Sequence, residues 1–566
     1  MQNNLLSLYE KHIYNESNQN DFSKELWGII PRKMSDIADL LAIRLPNRKE
    51  IEENEINQLK GLIRENLKEY GVLTAPIKEQ LASWSPHDPA FEIGHQPLYM
   101  GGASFVFNKI SYIIAITDYL QTHHKMNSYP FLFIGDHDNV QNELTITRFP
   151  QFQSYTGLEL KFEYDPRYED TPMAYLPLYE EDILLDQMEK IRLNYRELFR
   201  FAKIKSEFRP LLEERLELSL DLLYESFVES DNFSDWIGKF WAKLFIIVNK
   251  KPLFIVKASD IKLRKLLLPY LEDLLKEDNR TTYINTLNKY HEKIFNAGYR
   301  PGLSIRDNNE VPFFYECPNC EYRSRVKLEK DGKVLQGKCP TCNGLIQIDY
   351  NPENPDLSDH YQYMSPRVES RSIAINQLLR AMLRVTGGGE TTYHAQIIPY
   401  LNKRNIDAPI VMKNPRFFYN TPWSEKVAGE LSYENLKPLQ TTESFKLMSA
   451  VAKAKEFDEL KERIKETKQS LANNLQAFKE KEEELKAKIG ISKNKKLQKE
   501  LDLLQVYLSY NFGTFQPEKT IQEVSWNWID LSILTGLKDL YGFYSRRMKS
   551  NLPLSSTFWL SVGRYN

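Results

Sequence analysis

Apolar positions along this chain follow two rhythms. Up to about residue 88 they recur at helical spacing: Trp27, Ile29, Ile30, Ile37, Leu40, Leu41 and Ile43, then Leu59, Leu62, Ile63, Leu67 and Tyr70. That period predicts amphipathic helices. The turn cluster Ser85-Pro86-His87-Asp88-Pro89 closes the segment. From Phe91 the pattern changes. A polar turn, Gly94-His95-Gln96-Pro97, and a small-residue run, Gly101-Gly102-Ala103-Ser104, precede a helix over residues 104–121 that is apolar on most sides. The run Phe131-Leu132-Phe133-Ile134 then ends in Gly135-Asp136-His137-Asp138. Strand, loop, helix, strand, loop is a βαβ unit. Both polar loops fall at carboxyl ends of strands, where open α/β sheets bind ligands.

Leu144–Arg148 and Leu158–Tyr164 read as further strands, and residues 180–245 as a helical region. Pro252–Val256 is a short core strand leading into Lys257-Ala258-Ser259-Asp260. Residues 361–420 read as the second half of the α/β core. Ser365-Pro366-Arg367 and Arg371 open a helix through Ile375, Leu378, Leu379, Met382 and Leu383. Gly387-Gly388-Gly389-Glu390 follows, then a helix with Tyr393, His394 and Gln396, then a strand, Ala408–Met412, ending at Lys413. Phe457, Leu460, Ile464, Leu471, Phe478 and Leu485 stand at near-heptad spacing, Gly490 breaks the run, and Leu497, Leu501, Leu504 and Leu508 resume it. This predicts an antiparallel coiled-coil arm. The expected organisation is a helical segment (1–88), a first half-core (89–175), a helical insertion (176–245), a core continuation (246–300), a cysteine-bearing ribbon (301–352), a second half-core (353–440), the coiled coil (441–512) and an aromatic tail with Trp526, Trp528 and Trp559 packing on the body (513–566). The fold class is α/β with a parallel-sheet core.

The 566 residues are too many for one core, and 42% hydrophobic with 27% charged residues is ordinary for a globular chain. A net charge of −2 gives no strong pull on nucleic acid. The absence of a long apolar run or a signal-like start points to a cytoplasmic, non-membrane protein. The four cysteines form two CxxC pairs, Cys317/Cys320 and Cys339/Cys342, the spacing of a zinc ribbon with a structural Zn²⁺. With all four committed, no cysteine remains as a nucleophile. Gly101 and Gly102 before Ser104, an expected N-cap, let a helix start approach phosphate or carboxylate; the competing reading is a tight strand–helix turn. Gly387 to Gly389 allow the same, against a helix C-cap followed by a loop.

Four blocks in order carry a family resemblance: Gly94-His95-Gln96-Pro97 through Gly101-Gly102 to Asn108-Lys109; Phe131 to Asp138; Pro252 to Lys262; and Ser365 to Pro409, with Arg371, Gly387 to Glu390, Tyr393, Ala395 and Gln396. The chain resembles the cysteine ligases of bacillithiol biosynthesis, the BshC family, over residues 90–510. It departs at His95, where members show Gln, at Leu98, where they show Gly, at Gly135, where they show Glu, and in the zinc ribbon. The resemblance implies a Rossmann-like core similar to class I aminoacyl-tRNA synthetases, with helical insertions, a coiled-coil arm and a homodimer through or near it. It also implies attachment of cysteine to a glucosaminyl-malate acceptor with a nucleotide, ATP/ADP with Mg²⁺.

On this reading the Gly94–Ser104 loop binds phosphate or carboxylate, with His95, Gln96 and Lys109 in polar contact. Asp136 and Asp138 hold the amine or Mg²⁺, His137 acts as acid or base, and Arg367 and Arg371 pair with acceptor carboxylates. The Arg367–Gln396 region is expected to face the Gly94–Asp138 region across a cleft. Two alternatives stand beside it. One is another amino-acid ligase on the same core, including one acting on tRNA, although the chain has no HIGH tetrapeptide and no KMSKS signature, Lys257-Ala258-Ser259-Asp260 being only a weak echo of the latter. The other is a non-enzymatic scaffold.

Overall fold

The computed structural model describes the chain except residues 1, 15–18, 152, 153, 155, 330, 331, 440–442, 444–460, 516–521, 549–557 and 561–566. Phe457 and Leu460 of the expected heptads lie outside the described residues.

Five parallel strands form the central sheet, in the order Ile410–Lys413, Ala381–Thr386, Ala90–His95, Tyr129–Ile134, Phe254–Lys257. Every residue of the 129–134, 381–386 and 410–413 strands is buried, as expected of a parallel sheet covered on both faces. From the Ala90–His95 strand the chain steps outward through the Ser104–His124 helix to Tyr129–Ile134 and on to Phe254–Lys257. It then returns to the other side of the first strand and continues through the Gly388–Lys403 helix. The order therefore reverses between Ala90–His95 and Ala381–Thr386. That crevice, at the carboxyl ends, is the topological switch point of the sheet.

One sequence expectation is corrected here. Met382 and Leu383 do not continue a helix: Val368–Leu379 is the helix, Arg380 takes a left-handed C-cap (φ 46°), and Ala381–Thr386 is a sheet strand. A short buried apolar run has no periodicity that separates strand from helix.

The N-terminal helices Leu6–Tyr14, Asp21–Trp27, Met34–Arg44, Glu53–Glu69 and Ala75–Ser83 pack on the core. Tyr9 Oη donates to Val411 O (2.8 Å) and accepts from Lys413 N (3.2 Å), so this phenol covers the sheet's edge strand. Among the described residues the Ile146–Phe149 and Leu158–Lys161 strands pair only with each other, apart from the core sheet, and Leu144 and Thr145 of the expected Leu144–Arg148 strand belong to the short helix Asn142–Thr145.

Between the third and fourth core strands lies a second, antiparallel sheet, ordered Leu345–Asp349, Val334–Lys338, Arg323–Leu328, Glu310–Glu316, Met364–Pro366. Further on, the Lys461–Ser492 and Lys495–Phe515 helices form a hairpin. The turn is at Lys493 (φ 44°) and Asn494, whose side chain accepts from Lys496 N (2.9 Å). Gly490, the expected break, stays inside the first helix. An isolated glycine weakens a helix without ending it. Phe478 meets Tyr507 at 5.0 Å, and Leu485, Leu501 and Leu504 are buried.

The C-terminal helices return to the core. Trp528 Nε1 donates to Met100 O (2.9 Å), and Trp526 and Trp528 are fully buried. Gly101 is seated beneath them: a Cβ there would lie 2.4 Å from Phe240 and 2.8 Å from Trp528, at a φ of +76°. Gly101→Ala is therefore expected to destabilise the protein by about 2–4 kcal/mol through overpacking and strain. Gly490→Ala, with nothing within 4 Å of its new methyl, should leave stability unchanged or raise it by up to about 1 kcal/mol. Urea unfolding midpoints of the two variants check both.

Candidate active site

Two loops and two helix starts meet at the switch point. The Ala90–His95 strand delivers His95 and Gln96, the Tyr129–Ile134 strand delivers Gly135 to Asp138, and the Ala381–Thr386 strand delivers Gly387 to Glu390. Lys109, one turn into the Ser104–His124 helix, is buried and bridges them. Its Nζ donates to Gly94 O (2.6 Å) and to Glu390 Oε2. Gly387 N donates to the same carboxylate (2.6 Å), which makes Glu390 the capping residue of its own helix. Burial would raise the Glu390 carboxyl, but Lys109 and the Gly387 amide outweigh it and hold the group at about 2. Burial pulls Lys109 down, yet both of its partners are acceptors, so it is the donor in this bridge.

Gln96 Nε2 donates to Asp138 Oδ2 (2.9 Å), and Arg323 lies 3.3 Å from Asp138 Oδ1. Arg371 projects from the Val368–Leu379 helix over the Phe133 ring (5.4 Å) and reaches Tyr393 Oη (3.4 Å). Among the described residues Arg371 has no carboxylate within ion-pair distance. The regions around Gly94–Asp138 and Arg371–Tyr393 thus do face one another. Burial opposes ionisation of Asp138, but Arg323, Arg371 and the Gln96 amide hold its carboxyl below the usual range. Its side chain keeps 25% exposure, so the anion opens to the cleft.

The neighbours of Asp138 have other duties. Asp136 is fully buried and accepts from Ser234 Oγ (2.9 Å), Ser259 N (2.8 Å) and Ser259 Oγ. It joins the ends of the second and third strands, and burial raises its pKa. His137 is buried, and desolvation holds its imidazole neutral, with its pKa well below the ordinary value. His95 Nδ1 lies 2.9 Å from Gln96 O, a carbonyl that can only accept, so Nδ1 carries the proton. Burial and Lys109 lower its pKa to about 4, which leaves Nε2 unprotonated at neutral pH.

Several expected site residues are placed elsewhere. The N-cap of the 104–124 helix is Ala103, without a side-chain cap. Ser104 is buried, its N–H donates to Trp526 O (3.0 Å), and its Oγ to Glu523 O (3.3 Å). Asn108 donates to Glu523 Oε2 (2.9 Å). Gly101 packs on Phe240 and Trp528, and Gly102 on Leu98. This helix start is covered by the C-terminal segment, and the tight-turn reading describes it. Pro97 is buried in the same turn. Arg367 pairs with Glu310 (3.2 Å) and stacks on Phe314, facing the antiparallel sheet. Gln396 is buried, accepting from Leu303 N (2.7 Å) and donating to Leu287 O (3.2 Å), so it braces a loop. Gly387 is a helix N-cap, Gly388 abuts Leu6, and Gly389 is open. His394 is satisfied by Glu390 O and Arg384 (both 2.8 Å).

The sequence reading missed Arg323, Ser234 and Ser259. Ser259 had a signal, since it follows a core strand directly. Arg323 had none beyond its place three residues after Cys320.

The four cysteines lie at the tip of the antiparallel sheet, with all four sulfurs within 4.8 Å of one another. Their knuckles match: Glu321 N donates to Cys317 O (2.8 Å) and Asn343 N to Cys339 O (2.9 Å), with Glu321 (φ 63°) and Asn343 (φ 60°) both left-handed. The 3.4 and 3.5 Å Sγ–Sγ separations approach the roughly 3.8 Å edge of a tetrahedron with bonds of about 2.3 Å. The donor set can hold a metal ion.

The Lys109–Glu390 bridge generates a stability prediction. Lys109→Met leaves the partly buried Glu390 carboxylate with the Gly387 amide alone and should cost about 2–4 kcal/mol, with Lys109→Met/Glu390→Gln recovering part of it. The depressed Glu390 contributes stability that is complete above its ordinary 4.5 and fades as pH falls toward about 2. Urea midpoints of wild type and Glu390→Gln should converge over that window.

A relative from Christiangramia forsetii, named "Putative cysteine ligase BshC", is 27% identical over 35% of this chain and 34% of its own. Relatives of the same name from Staphylococcus carnosus and Staphylococcus saprophyticus are 20% and 21% identical, over 59% and 60% of this chain and 56% and 57% of theirs. The matched stretches span less than two thirds of each relative. A solved structure titled "putative arginyl t-RNA synthetase", from Campylobacter jejuni, aligns with 87% of this chain and 99% of its own at 12% identity, but its TM-score of 0.23 carries no argument. No helix among the described residues is long and apolar enough to cross a membrane. The family model for bacillithiol biosynthesis BshC, N-terminal Rossmann-like domain, matches residues 44–416, and the chain belongs to that family.

Proposed function

We propose that this protein is a ligase that joins cysteine to a glucosaminyl-malate-type amino sugar in the synthesis of a bacillithiol-like thiol. The family supports the reaction class, and Arg371 carries the site assignment. Its guanidinium is sheltered and has no carboxylate partner among the described residues, which suits an anionic ligand that replaces the hydration it has lost. The cysteine carboxylate and the malate of the acceptor both have that chemistry.

Amide formation needs an activated carboxylate, and ATP with Mg²⁺ supplies that activation as acyl-adenylate or acyl-phosphate. The protein's task is positioning and charge stabilisation. Arg371 holds the anion, Asp138 holds the incoming amine or Mg²⁺, and His95 Nε2 is the unprotonated nitrogen available for the amine's proton. Lys109 and Glu390 keep the crevice in register. The core plan resembles class I aminoacyl-tRNA synthetases, and two copies pair through or near the helical hairpin. The four thiolates hold one Zn²⁺ with a closed coordination sphere, a structural role. A second reading, an amino-acid ligase with a different acceptor, is favoured by Arg323, which the ribbon adds to the wall of the site.

Purified protein with ATP, Mg²⁺, cysteine and glucosaminyl-malate should yield the amide, read by mass spectrometry. Arg371→Ala should raise KM for the anionic substrate about 10- to 100-fold, with partial recovery in Arg371→Lys. Asp138→Ala should lower kcat. No product under any nucleotide would sink the proposal, and product only with another amine from an acceptor panel would establish the second reading. Elemental analysis should find one zinc per chain, lost in Cys317→Ser.

A further inference from the structure

The ribbon is tied to the candidate site by one rung of its sheet. Glu316 and Arg323 are directly paired across the two strands that flank the first knuckle, immediately before Cys317 and three residues after Cys320. Both side chains leave the ribbon for the core. Arg323 reaches Asp138 Oδ1 (3.3 Å), donates to Pro366 O (3.0 Å), and stacks over Phe314 (4.3 Å). Its Nε is buried without a partner. Glu316 takes a two-pronged bond from Arg264 (2.7 and 2.8 Å) and a third from Tyr175 Oη (2.7 Å). Tyr175 closes a short helical turn whose Met173 N and Ala174 N donate to Asp138 O and Asp136 O (both 2.9 Å). The rung therefore holds the Gly135–Asp138 loop twice, once through the Asp138 carboxylate and once through its backbone carbonyls.

We propose that Arg323 is a positioning residue for Asp138, and that metal binding by the four cysteines sets the loop by fixing the Glu316–Arg323 rung. The metal clamps the two strands where they end, and a ladder frays first at an unclamped end. With the rung in register, Arg323 and Gln96 orient the two oxygens of Asp138. With the clamp released, Arg323 leaves and the Asp138 carboxylate keeps the Gln96 amide and the His137 ring (3.7 Å). The proposal rests on the reading that the strand-end cluster is the active site, but its first test needs no ligand.

Amide hydrogen exchange of the full-length protein tests it. In the zinc-loaded wild type, residues 135–139 should be protected. Cys342→Ser, and wild type stripped of zinc by a chelator, should exchange that segment at least about tenfold faster, and Arg323→Ala should do the same with the zinc still bound. Arg323→Lys should restore part of the protection, and the remote helix Arg209–Val228 should be unchanged in all of them. Faster exchange confined to residues 334–349 in Cys342→Ser, with the 135–139 loop unaffected, would overturn the coupling. So would unchanged loop protection in Arg323→Ala.

The second arm uses L-malate as the probe, by calorimetry. Zinc-loaded wild type should bind it, with affinity reduced at least about tenfold in Arg323→Ala and by zinc removal. Failure of the wild type to bind malate counts against the acceptor reading in the function proposal, while the exchange data still decide the coupling.

Discussion

A buried lysine holds the two halves of this core in register. The order of winding reverses between the parallel strands Ala90–His95 and Ala381–Thr386, and Lys109 bonds across that seam to Gly94 O on one side and Glu390 on the other. A buried ion pair adds little net stability over a well-packed apolar pair, but breaking one partner is costly. Its contribution is geometric. The Gly387–Glu390 turn has one position in which the carboxylate caps its own helix and meets Lys109, and that position fixes the crevice.

The same device recurs elsewhere in the core. Glu92 and Arg384 face each other as direct partners on the two seam strands, and Lys257 pairs with Asp235 beside the third. Glu316 with Arg264 docks the ribbon, and Asp138 with Arg323 closes the cleft. In each of these pairs a charge taken from water is matched by a fixed opposite charge, which offsets its desolvation. Against this background Arg371 stands out. It sits among these pairs with an aromatic face and a phenol, and without a carboxylate among the described residues. That unmatched cation is why the site is read as anion-binding.

Much of this was legible in the residues, and the failures have physical causes. The βαβ unit, the two polar loops at strand ends and the cysteine knuckles follow local rules of period and spacing, and the structure brings the loops together. Met382 and Leu383 were misplaced because a six-residue buried strand has no face for a period to reveal. Ser104, Asn108, Gly101 and Gly102 carried a plausible ligand signature. Their partners, Glu523, Trp526 and Trp528, lie more than 400 residues away in the chain, and no local pattern announces that a distant segment will cover a helix start. Asp136, His137 and Asp138 looked like one cluster, yet burial assigns the first to a brace and the second to a neutral ring, leaving the third to the cleft.

The position of the ribbon follows from the topology. After strand Phe254–Lys257, at one edge of the sheet, the chain must cross to the far side of strand Ala90–His95 before Ala381–Thr386 can form. That crossing is the longest connection in the core, and its first residues leave the carboxyl end of the third strand beside Asp136, through Ser259. An insertion here can grow without disturbing any strand pairing, because neither edge of the parallel sheet is needed for it. It also emerges next to the ligand crevice. A change of insertion at this point can therefore rebuild one wall of the site while the sheet, the seam and the Lys109 bridge stay as they are. Arg323 is the concrete case: it is absent from every block that carries the family resemblance, yet it is in contact with the carboxylate that faces the cleft.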